Sequence, residues 1–130
     1  MSLRDVFVAA VAARGRRTTW GPVQFIEAWQ AFVAEVAAGY AGDLYEYENE
    51  LSVRDDLQVA LNSPDLGDYP EWANLQGQIV TIDGRLRSLL EEGPVVRSDS
   101  EWWRARLPAR AGAELTEAAK RLFGVEIDSG

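Results

Sequence analysis

An all-α fold is predicted for this chain, and three observations carry the prediction. Apolar residues recur at steps of three and four over long runs, the spacing of one helix face. Glycine and proline punctuate the boundaries of those runs. No segment alternates at period two as a half-buried strand would. The expected architecture is a helical bundle of two long antiparallel helices, about residues 22–51 and 70–92, plus three shorter helices. At 130 residues the chain fits a single domain, 1–130.

The elements follow in order. Ser2 with Asp5 three residues on has the form of a capping box. Leu3, Val6, Phe7, Ala10 and Val11 then keep helical spacing as far as Arg14, with Gly15 as a C-terminal stop. The linker RRTTWGP leads to Pro22, which suits a first helical turn. From Val23 the apolar positions run Ile26, Trp29, Val33, Val36, Tyr40, Leu44, Tyr47, Leu51. Gly39 and Gly42 lie inside this run and each weakens a helix by about 1 kcal/mol against alanine. The apolar phase is the same on both sides of them, so the spacing favours one helix to Leu51, bent at Gly39–Gly42. Two helices hinged there are the alternative.

Ser52 with Asp55 looks like a second capping box, starting a short helix from Val53 to Leu61. The loop SPDLGDYP follows. Trp72, Leu75, Ile79, Ile82, Leu86 and Leu89 then repeat at 3, 4, 3, 4, 3, the seam of a helix lying along another helix. Gly77 and Gly84 share one face, where Trp29 or Phe32 could fill the space. Gly93 and Pro94 end the helix. EWWRARL forms a brief helical segment capped by Ser98 or Ser100. A last helix from Pro108 carries Ala111, Leu115, Ala118, Leu122 and Phe123 on one side and stops at Gly124. The tail frays beyond Ile127.

Composition narrows the chemistry. The chain has no cysteine, hence no disulfide and no thiol nucleophile. It has no histidine either. Ser-His-Asp and Cys-His nucleophile systems, Cys/His zinc sites and the Glu-x-x-His di-iron pattern are therefore excluded. No Gly-x-x-x-x-Gly-Lys-Ser/Thr or Gly-x-Gly-x-x-Gly motif is present. A net charge of −8 disfavours broad binding to nucleic acid or to an anionic membrane. No apolar run approaches the ~20 residues needed to span a bilayer, and the N-terminus lacks a secretory pattern. A cytoplasmic protein without a cofactor is expected.

Two stretches are candidates for function. In GYAGDLYEYENELSVRDD, Asp43, Glu46 and Glu50 form a stripe beside the core line. Such oxygen ligands could hold Mg²⁺. A Mg-dependent all-α phosphohydrolase would need more acids from the facing helix, which offers Asp83, Glu91 and Glu92 in place of a paired Glu-x-x-Glu and Glu-x-x-Asp set. Most acidic helix faces are simply solvated, here with Arg85 or Arg87 to offset the charge. Asp55 and Asp56 fit a first helical turn, where the macrodipole favours negative charge. In EWWRARL, the adjacent side chains of Trp102 and Trp103 point about 100° apart. One packs inside; the other either covers the end of the bundle under arginine stems or lies at a binding rim with Arg104 or Arg106 nearby. Tryptophan and arginine are enriched at binding hot spots, so Trp102, Trp103 and Arg104 are the candidate partner-binding residues. The basic loop Arg14–Arg17 is too short for a nucleic-acid footprint and suits an ion pair with the acidic stripe.

The sequence thus favours a non-catalytic protein–protein interaction module, with another protein or a second copy in a homodimer as partner. The Mg-dependent phosphohydrolase is the alternative. An acidic mimic of DNA is a third reading.

Overall fold

The computed structural model describes residues 2–13 and 20–129, and every described element is helical apart from two isolated backbone pairings. The helices are α1 (Leu3–Ala12), α2 (Pro22–Ala38), α3 (Leu44–Glu50), α4 (Ser52–Leu61), α5 (Pro70–Leu90), α6 (Trp102–Ala105) and α7 (Ala113–Phe123), with a 3-10 turn at Pro64–Asp68. The all-α prediction holds. Among the described residues no helix is long and apolar enough to cross a membrane. The Gly15 stop and the Arg14–Arg17 basic loop lie outside the described residues.

Local chemistry explains the helix starts. Ser2 Oγ accepts from the Asp5 backbone N–H at 3.1 Å and Asp5 returns the bond to Ser2 N at 3.3 Å, the expected box. Pro22 opens α2, and Gln24 accepts from the Gly21 N–H at 2.9 Å.

The predicted continuous helix over 22–51 is not formed. α2 ends at Ala38 because Gly39 takes φ +95°, a conformation that residues with a side chain rarely adopt. Asp43 then starts a new helix. The apolar phase nevertheless survives the break, since Tyr40, Leu44, Tyr47 and Leu51 are all buried. Both segments turn their apolar faces to one core, so conserved phase does not require a continuous helix. The hinged alternative is the observed one. Leu51 keeps helical angles between α3 and α4, so residues 44–61 form a nearly continuous run.

That run reverses the expected pairing of the long helices. Phe7 packs on Phe25, near the start of α2, with ring centroids 5.6 Å apart, and on Trp72, near the start of α5, at 6.2 Å. Just past the end of α2, the Tyr40 carbonyl accepts from Gly112 N, while near the end of α5 the Leu89 carbonyl accepts from Ala109 N. Starts lie with starts and ends with ends, so α2 and α5 run in the same sense and are not antiparallel. The physical reason is chain length. At 1.5 Å per residue α2 rises about 25 Å and the α3–α4 run about 27 Å. The run thus returns the chain to the level where α2 began before α5 starts. The shorter helices are consequently more numerous than the three expected.

The core is rich in rings. Phe7 contacts Phe25 and Trp72 at one end, where the exposed Trp20 meets Phe25 edge-on, and Trp29, Phe32, Tyr40 and Tyr47 cluster at the other. In α5, Trp72, Ile79, Ile82 and Leu86 are buried as the seam predicts, with Leu75 and Leu89 partly so. Gly77 and Gly84 are exposed and nothing lies within 4 Å of where their side chains would be. They do not receive Trp29 or Phe32, because both rings stack on each other inside the core.

After α5 the chain folds back on itself. Val96 N donates to Ala105 O at 2.8 Å and Leu107 N to Pro94 O at 3.0 Å, which presents α6 at the tip of this loop. Gly93 makes the crossing possible, since a Cβ there would fall 1.7 Å from the Leu107 carbonyl oxygen. The C-terminal segment does not fray at Ile127. Asp128 pairs with the 109–111 backbone through bonds of 3.0 Å on either side, and Ile127 is buried.

Candidate functional site

Among the described residues, a dense polar cluster lies where α4, α5 and α6 meet. Arg54 of α4 is buried, an expensive place for a guanidinium unless its charge is met. Asp83 of α5 meets it with two bonds, Arg54 Nε to Oδ1 at 3.0 Å and Nη2 to Oδ2 at 2.9 Å. Trp29 Nε1–H donates to the same Asp83 Oδ1 at 2.9 Å. The remaining edge of Arg54 donates to Gln58 at 3.0 Å. This two-pronged geometry is the strong form of a carboxylate–arginine pair.

The second layer is α6. Trp103 is buried with its ring centroid 4.4 Å from the Arg54 guanidinium carbon. Its Nε1–H donates to Asp55 Oδ1 at 2.8 Å, and Arg104 Nη2 reaches Asp55 Oδ2 at 2.5 Å. Asp55 therefore anchors α6 to α4, besides standing in the first turn of α4 as expected. Trp102 meets Trp103 edge-on at 5.6 Å and remains partly exposed. The Arg87 guanidinium lies over its ring at 3.9 Å.

The three candidate partner-binding residues consequently divide. Trp103 is an internal pillar, and Arg104 is tied to Asp55 with part of its side chain left exposed. Trp102 is the partly exposed ring of the pair, and the cation nearest its face is Arg87 of α5, not Arg104. Trp102 forms one wall of a cleft of about 420 Å³ whose floor includes Leu90 and Ala105 and whose edges carry Arg87 and Arg106.

The acidic stripe is arranged differently. Asp43 is the N-cap of α3: its Oδ1 accepts from Glu46 N at 2.9 Å, and Glu46 Oε1 accepts from Asp43 N at 3.3 Å. Glu50 accepts from the Tyr40 hydroxyl. The carboxylates thus serve the backbone of their own helix and one tyrosine. Asp83 is committed to Arg54. Among the described residues no three Asp, Glu, His or Cys side chains come together as a group that could hold a metal ion. On the other flank of α3 Arg97 reaches Glu48 at 2.7 Å, and none of the ion pairs among the described residues joins Arg85 or Arg87 to the stripe. Burial pushes the Tyr40 hydroxyl well above the usual tyrosine range, helped by Glu50, and burial does the same for Tyr47. Both stay protonated near neutral pH and cannot act as phenolate nucleophiles there.

No family model, curated protein or solved structure matches this chain.

What the sequence reading missed is Arg54. A signal was available: Leu51, Arg54 and Leu57 are spaced by three, and Asp83 shares the line of Ile79 and Leu86. Opposite charges on two apolar lines predict a buried pair.

Proposed function

We propose that this chain is a non-catalytic protein–protein interaction module that meets its partner at the α5–α6 cleft around Trp102. One observation carries the reading. Of the two adjacent tryptophans, Trp103 is fixed inside by Asp55 and Arg54, which holds Trp102 rigidly at the surface with Arg87 stacked on it. A large ring presented on an ordered support loses little conformational freedom on binding, which is what a hot-spot residue requires. The composition points the same way, since without histidine or cysteine the chain has few groups able to carry nucleophilic or acid–base chemistry at neutral pH.

The reading takes the setting to be the cytoplasm and the partner to be another protein. A second copy is the alternative, and sedimentation over a range of concentrations separates the two. The functional test is co-purification from the native cell, comparing wild type with Trp102→Ala. Trp103→Ala is unsuited because it would remove an internal pillar. Loss of one specific partner is expected, with the variant still folded by circular dichroism at the assay temperature. Retention of every partner by Trp102→Ala would count against this face.

A further inference from the structure

The α5–α6 cleft differs in charge from the molecule that bears it. The chain carries a net −8, yet two guanidinium groups and one carboxylate, Glu91, border this cleft. The two arginines are held in different ways. Arg106 donates through Nη1 to the carbonyls of Gly93 at 2.8 Å and Glu91 at 3.3 Å, beyond the end of α5, leaving its other nitrogens unused by those bonds. Arg87 lies with its guanidinium carbon 3.9 Å from the Trp102 ring centroid, and none of the ion pairs among the described residues uses it. A guanidinium on a ring contributes its charge and its edge donors together, and those donors match a carboxylate fork. The apolar floor of Leu90 and Ala105, beside the Trp102 wall, gives a neighbouring aliphatic group somewhere to go.

We propose that the cleft receives an acidic segment of the partner protein, with a carboxylate on the Arg87–Arg106 rim and the adjacent aliphatic side chain against Trp102. This rests on the reading of the cleft as the binding face and adds the chemistry of the occupant. Charge complementarity selects it. A basic segment would be attracted by the rest of this acidic surface but repelled at this rim.

The test uses three blocked hexapeptides that differ at one position, Glu, Gln or Lys, each flanked by leucines. They are titrated into the full chain while the Trp102 indole N–H is followed by nuclear magnetic resonance. The Glu peptide should shift that signal saturably and bind at least tenfold more tightly than the Gln peptide. Raising the salt from low to molar concentration should erase the difference. Arg87→Gln should erase it too, with the thermal midpoint unchanged. Equal binding of the Glu and Gln peptides overturns the carboxylate preference but leaves the cleft a binding face. Preference for the Lys peptide overturns the charge argument outright. No response at Trp102 to any of the three at several millimolar overturns both this inference and the cleft as the binding face.

Discussion

Replacing Asp83 by leucine tests the interior on which the Trp102 face is built. Asp83→Leu keeps the approximate volume but removes the acceptor of three bonds, two from Arg54 and one from Trp29. Arg54 would then be a buried cation without its partner, a situation that costs about 3–5 kcal/mol. The orphaned Trp29 indole adds about 1 kcal/mol or more. Arg54→Leu should cost less, because Asp83 keeps the indole donor. The double replacement Arg54→Leu/Asp83→Leu removes both charges, and an apolar pair of similar volume is often neutral against a buried ion pair. The double variant should therefore be at least about 2 kcal/mol more stable than the sum of the two single losses predicts. Urea unfolding followed by tryptophan fluorescence measures all four proteins. At about 3–5 °C per kcal/mol for a chain of this size, Asp83→Leu should also lower the thermal midpoint by roughly 12–30 °C. A loss below about 1 kcal/mol for Asp83→Leu, or strictly additive losses in the double variant, would refute the coupling.

Other outcomes follow from the same structure. Asp43→Ala should cost about 1 kcal/mol by removing the α3 cap, with Asp43→Ser close to wild type, in the same unfolding assay. Mg²⁺ or Mn²⁺ should leave the thermal midpoint unchanged, since Asp43, Glu46 and Glu50 are engaged within α3 and with Tyr40; an upward shift abolished by Glu46→Gln would support a cation site instead. Tyr40 and Tyr47 hold their protons more tightly folded than unfolded. Their stabilising contribution is thus fully present below the ordinary tyrosine pKa of about 10 and declines as pH rises above it. Absorbance of tyrosinate should show these two residues ionising only as the protein unfolds; early ionisation of all four tyrosines would contradict it.

Periodicity was a good guide to what is buried and a poor guide to where helices end. The line from Ile26 to Leu51 named core positions correctly, because burial of a face depends on phase. It hid the break at Gly39, because two helices entering one core can share a phase. The cap at Asp43 was readable from residues alone. Asp43-x-x-Glu46 directly follows Gly42, in the same form as Ser2-x-x-Asp5, but reading the acids as a stripe for cations obscured their service to the backbone. The relative direction of α2 and α5 depended on that break, since only a return run through 44–61 allows them to be parallel. The pairing of Arg54 with Asp83 joins residues 29 apart in the chain. Local propensity carries no information on such a distance, although two charges on apolar lines pointed to it. Trp103 inside and Trp102 at the rim follow the geometry of adjacent helical positions, but which tryptophan went where was decided by Asp55, a residue of another helix.

The central claim is that Trp102, and not Trp103 or the acidic stripe, is the contact residue for a partner. Once a partner has been obtained by co-purification, calorimetric titration of it into wild type and Trp102→Ala tests this most directly. A loss of at least tenfold in affinity, with the variant still folded at the assay temperature, is the predicted result; an unchanged affinity would contradict it.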